Sequence, residues 1–141
     1  MNFKNIHIGS IIKSKVKESE VDIVRICNFF GQPESDIVTD YEQAEIATDR
    51  LLKWSKLLEY DFFRIYTQHL ILYAPSKNSS TNTDNTNKSV PQFRKNIYSI
   101  EVIHYIVNKV ISGEKTKKEI IEEYRIPKTT LYKWLYKYNS N

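Results

Sequence analysis

Apolar residues recur at three- and four-residue steps along most of the chain, the period of helices that bury one face. Ile8, Ile12 and Val16 fall on one side of a first helix. Asp22 is suited to cap a second, which turns Ile26, Cys27 and Phe30 inward and stops at Gly31. Pro33 opens a third short helix with Ile37 and Tyr41 on its inner face. Thr48 is the expected N-cap of a fourth, "DRLLKWSKLLEY", in which Leu51, Trp54, Leu57 and Leu58 make a broad apolar stripe. The aromatic and branched run "DFFRIYTQHLILY" fits helix or strand, with a helical start expected.

The pattern then breaks. "PSKNSSTNTDNTNKSVP", Pro75 to Pro91, is Ser, Thr and Asn almost throughout and has Val90 as its only aliphatic residue. It has too little apolar surface to offset the entropy of ordering, so a disordered tether over 75–92 is expected. Periodicity returns at Ser99, the expected cap of "IEVIHYIVNKVISG". There Ile100, Ile103, Ile106, Val107 and Val110 follow helical spacing up to Gly113. Thr116 with Glu119 three residues on is a capping-box pattern, and Ile120, Ile121 and Tyr124 supply the apolar side of the next helix. "RIP" leaves room only for a tight turn before a last helix from about Pro127. The expected fold is all-α: two small helix-turn-helix bundles, 1–74 and 93–141, joined by a disordered polar linker.

Charge sharpens this division. Met1–Ala74 holds nine Lys+Arg against eleven Asp+Glu, whereas Pro91–Asn141 holds ten against five. The positive excess of the last third suits a polyanionic partner. Cys27 is the only cysteine and His7, His69 and His104 are scattered, so no cofactor or metal site is expected. No apolar run approaches the length of a membrane span and "MNFKNIHIGS" lacks a signal-peptide core, so a cytoplasmic protein without a membrane partner is expected.

In "PKTTLYKWLYKYN", Leu131, Trp134, Leu135 and Tyr138 share one side of the last helix. Lys128, Thr129, Tyr132, Lys133, Tyr136 and Lys137 lie on or near the other. One side can dock while the other enters a groove, as recognition helices do in the major groove of DNA. Lys128, Thr129, Thr130 and Lys133 stand in the first turns, where lysine can donate to guanine and threonine can meet thymine. Lys115, Lys117 and Lys118 are placed at the start of the preceding helix for backbone phosphates. With Tyr132 and Lys137 these residues form the candidate DNA-binding set. Taken alone, lysines and tyrosines on a helix face read as plain solvated surface; the charge excess, the tight turn and the capping box before it favour nucleic acid.

The segment Tyr98–Asn139, with "SGEKTKKEI" and "TLYKW", resembles the helix-turn-helix of transposase OrfA-type proteins of insertion elements. The resemblance implies DNA binding. It departs at Pro127, where that family usually has a small capping residue, and the chain shows neither the family's leucine zipper nor a catalytic domain. The stretch "IGSIIKSKVKESEVDIVRICNFFGQPESDI" resembles phage-repressor/Cro-type helix-turn-helix domains, with Ile8, Ile12, Val21, Ile26, Cys27, Phe30, Gly31 and Ile37 at core or turn positions. Here the departures weigh more. Ile23 stands where that family has a DNA-contacting glutamine, and the reading helix carries Glu34, Asp36 and Asp40, which a polyanion would repel. The first module is therefore expected to serve in self-association, as a homodimer, or in docking to a protein. Ile23, taken as exposed, and the aromatic run Tyr60–Tyr66 are its candidate contacts.

The favoured function is sequence-specific binding of double-stranded DNA by the C-terminal module, in a transcriptional regulator or a mobile-element accessory factor. A protein-interaction adaptor built of helical scaffolds is the alternative. An enzyme is not expected: there are three glycines, no phosphate loop, and no nucleophile–base arrangement.

Overall fold

The computed structural model describes residues 1–75, 90–91 and 97–138, and every regular element among them is an α-helix. The chain divides into two compact units, Asn2–Tyr66 and the residues from Thr67 onward. The division lies earlier than the change of composition at 74/75, and its cause is local to the second unit. The expected tether over 75–92 lies largely outside the described residues.

In the first unit, α1 (Ile8–Ser19), α2 (Ile23–Phe30), α3 (Glu34–Glu42) and α4 (Thr48–Leu57) surround a core that includes Ile8, Ile12, Ile26, Ile37, Leu51, Trp54 and Phe62. The start of α1 is held in two ways. His7 caps it through Nδ1, which accepts from the Ser10 amide at 3.2 Å. The amides of Ile8 and Gly9 donate to the carbonyls of Ala44 and Gln43 just past the end of α3. That backbone-to-backbone approach needs a residue without a side chain: a Cβ at position 9 would lie 2.1 Å from the Asp40 carbonyl oxygen and 2.6 Å from that of Gln43.

Asp22 accepts from the Val24 amide and Gly31 ends α2 in the left-handed region, both as its spacing predicts. Thr48 is instead the first helical residue of α4. Ala47 occupies the cap position with no side-chain bond, so the start of α4 relies on the packing of Leu51 and Trp54. Ile23 is half-buried, not exposed. The aromatic run is helical from Phe63, in α5 (Phe63–Tyr73), and it divides by side: Phe62 and Ile65 are buried while Tyr60 and Tyr66 face solvent.

The largest correction concerns Asp40. It is 7% exposed and turned inward, where its carboxylate accepts from Arg50 Nε at 2.7 Å and from the Trp54 indole at 2.8 Å. Arg50 lies over the Phe30 ring and donates onward to Gln32. Every charge in the group has a partner, the condition under which a buried carboxylate is tolerated. Only Glu34 and Asp36 of the three expected acids remain on the outer side of α3.

The second unit begins inside α5. Gln68, 3% exposed, accepts from the Ser99 amide at 2.7 Å and donates to the Ile97 carbonyl at 2.6 Å, so one amide side chain fixes the extended entry to α6 (Ile100–Ile111). These two bonds tie the end of α5 to α6 and group it with the second unit. Ser99 caps α6 by accepting from the Val102 amide, and Thr116 and Glu119 close the capping box of α7 (Lys117–Tyr124). Arg125 takes a left-handed conformation to start the turn into α8 (Lys128–Tyr138), at a strain cost of about 1 kcal/mol. Val102, Ile106, Val107, Ile120, Tyr124, Ile126, Leu131 and Leu135 form the core among the three helices. Ile100, expected inside, is exposed, and Val102 takes the buried place. Among the described residues no helix is long and apolar enough to cross a membrane.

Gly9→Ala is expected to destabilise the first unit by about 2–3 kcal/mol, because the obstacle is backbone on a neighbouring helix and cannot rotate away. Urea unfolding at unchanged slope checks this. Asp40→Ala is expected to cost about 3 kcal/mol by leaving Arg50 half-desolvated without its partner, and the further change Arg50→Met should restore part of the loss; the same unfolding experiment reads both. The carboxyl of Glu119 titrates below its ordinary 4.5, chiefly because the Thr116 amide and then its hydroxyl donate to the ionised form. A lowered folded value means stability that is full above the unfolded value and lost as pH falls through the folded one. The melting temperature of wild type should therefore exceed that of Glu119→Ala at pH 7, and the two should converge as the pH falls from 4.5 toward the lower folded value, followed through the α7 amides by NMR.

Candidate nucleic-acid interface

An eleven-residue helix is marginal in water by itself, so α8 is helical because one side of it is docked. Leu131 and Leu135 are buried against the two preceding helices. Trp134 and Tyr138 line the edge of that side, edge-on to Tyr98 and His104 at centroid distances of 4.8 and 5.1 Å. The rest of the helix forms two rows at four-residue spacing: Lys128, Tyr132 and Tyr136, and beside it Thr129, Lys133 and Lys137. All six are exposed, Tyr136 to 87%, while Thr130 sits half-buried at the margin.

The charges of this unit are unevenly satisfied. Lys109 pairs with Glu114, and Lys115 with Glu123. The hydrogen bond from Lys109 to Glu114, helped by Tyr105, pushes the Lys109 ammonium well above the usual lysine range, so that cation is committed to the fold. Lys118 has a 3.9 Å contact with Glu122, but with side chains 84% and 66% exposed this i,i+4 pair is worth little and can open. Lys117, Lys128, Lys133 and Lys137 have no carboxylate within 4 Å among the described residues. The imbalance follows the elements. α7 has two lysines against three glutamates, whereas α8 has three lysines and no acid.

The structure thus brings Lys117, Lys128, Thr129, Tyr132, Lys133 and Lys137 of the expected set onto or beside one exposed side. It separates off Lys115, whose ammonium is held by Glu123, and it places Thr130 at the edge. The start of α7 is less open to phosphate than its three lysines suggest, because the Glu119 carboxylate already takes the Thr116 amide. Tyr136 belongs with the site although it is absent from the expected DNA-binding set; its signal in the sequence is the four-residue step from Tyr132. Tyr132 itself is not bare. The ammonium groups of Lys117 and Lys128 lie over its ring, 5.0 and 5.6 Å from the centroid.

The arrangement offers cations, two hydroxyl-bearing aromatics and a threonine on one exposed helix surface, groups that can donate to anionic oxygens and to polar acceptors. It offers no cluster of His, Cys, Asp or Glu suited to a metal among the described residues. No protein-family model matches the chain, and neither the curated proteins nor the solved structures contain a match to it.

Proposed function

We propose that the chain is a sequence-specific DNA-binding protein, a transcriptional regulator or a mobile-element accessory factor, that reads duplex DNA with the outer side of α8. One observation carries this: the helix placed last in a helix-turn-helix arrangement carries only positive charges, and its three lysines have no carboxylate within 4 Å among the described residues, whereas Lys109 and Lys115 nearby are paired. Three positive charges with no acid on the same helix leave a net positive surface there. A polyanion that releases counterions on binding gives that charge a use. The resemblance of Tyr98–Asn139 to transposase OrfA-type helix-turn-helix domains supports the same reading.

Within it, Thr129, Lys133 and Lys137 form the reading row with Tyr136 beside it, and Lys117 and Lys128 supply the phosphate contacts at the helix start. The first unit serves in self-association or protein docking, since Glu34, Asp36 and Glu42 lie on the exposed side of α3 and no cation is paired with them among the described residues. This reading places the protein in the cytoplasm and needs no catalytic step.

The full-length protein should select a preferred sequence from a random duplex pool and bind it with steep salt dependence. Lys133→Ala is expected to lower the magnitude of the log–log salt slope by about one and to relax base preference, whereas Lys115→Ala should leave both nearly unchanged. Fluorescence anisotropy across a salt series reads these. Absence of duplex binding even at low salt would sink the proposal and leave an adaptor role.

A further inference from the structure

We propose that Tyr132 is a positioning residue: its ring holds the ammonium groups of Lys117 and Lys128 together as a clamp for one stretch of DNA backbone phosphate. This inference rests on the nucleic-acid reading of α8 and gives that site its anchoring element.

Lys117 comes from the first position of α7 and Lys128 from the first position of α8, on either side of the turn Arg125–Pro127. Their ammonium groups both lie within about 6 Å of the Tyr132 centroid, the range in which the negative face of an aromatic ring attracts a cation. Two like charges drawn to one ring repel each other, and an exposed lysine otherwise gains more by spreading into water. No carboxylate among the described residues relieves that repulsion. An external anion shared by both would. The Thr130 amide already donates to the Pro127 carbonyl at 3.0 Å, which leaves the amides of Lys128 and Thr129 at the same end as donors that favour a phosphate.

Three parts drawn from two helices and one ring therefore act as a unit whose geometry Tyr132 sets. The ring, engaged by two cations, is not available to stack on or read a base. Reading falls to Thr129, Lys133 and Tyr136 farther round the helix. The clamp contributes register, since a phosphate contact fixes where the reader sits without distinguishing sequence.

The test uses full-length protein and the duplex recovered by selection, with Tyr132→Phe, Tyr132→Leu, Lys117→Ala and the double variant Tyr132→Leu/Lys117→Ala. Circular dichroism must show equal helix content, which exposure of the side chain makes the expected result. Phe keeps the ring's charge distribution and should retain affinity and salt slope. Leu keeps apolar bulk without the ring and should flatten the slope by about one to two units while leaving base preference as it was. Lys117→Ala should then cost little further in the Leu background, the non-additivity of parts that act together. A Leu variant with the wild-type slope, or a full Lys117 effect in both backgrounds, would overturn the clamp and leave DNA binding intact. Wild-type protein that binds no duplex would overturn the clamp together with the reading on which it rests, so the wild-type affinity separates that outcome from the former.

Discussion

A short helix holds its shape only as long as something seals one side of it, and that constraint organises the second unit. Leu131 and Leu135 are inside, Trp134 and Tyr138 are braced edge-on by Tyr98 and His104, and six further positions are exposed. Those positions hold all the unopposed lysines of α8. Because burial has already used the apolar residues of the helix, the composition of its outer side is free to be set by a ligand. A residue that packs is constrained by volume; a residue that does not is constrained only by the partner it must meet.

The first unit is governed by a different balance. Its helices meet closely enough at Gly9 for backbone to bond backbone, and the interior behind them contains a charged group instead of another aliphatic one. The Asp40 carboxylate joins α3 to α4 through an arginine and an indole, with directional bonds that an apolar contact would not supply. Such a group selects one packing of the two helices over near alternatives, because any shift leaves a desolvated charge behind. The same residue type, one turn closer to the start of α3, serves the surface.

Much of this architecture is legible in the sequence. The helices follow from spacing, and the caps at Asp22, Ser99 and Thr116 follow from residues whose side chains satisfy the first amides. Where reading by pattern goes astray, a tertiary contact has overridden a local rule. Asp40 looks like surface because aspartate usually is; only the fold brings Arg50, ten residues on, to meet it. Ile100 looks like core because it is apolar, but the first position of a helix points where the cap directs it, and Val102 faces in. Lys115 looks available until the fold sets Glu123, eight residues away, beside it. For the candidate site, the residues on the outer side of α8 are visible from periodicity, whereas the lysines already engaged are not. Pairing depends on how the connection between α6 and α7 brings Lys109 to Glu114 and Lys115 to Glu123.

Gln68 has an implication for how this chain can vary. Its amide fixes where the backbone returns at Ile97 and Ser99, through two hydrogen bonds that are indifferent to the route taken in between. The entropy of closing a loop grows only with the logarithm of its length, about 0.6 kcal/mol for each doubling. A change of chain length beyond α5 would leave both bonds in place over evolutionary time, provided the glutamine, the backbone groups it grips and the buried Ile71 and Leu72 on the same helix are kept.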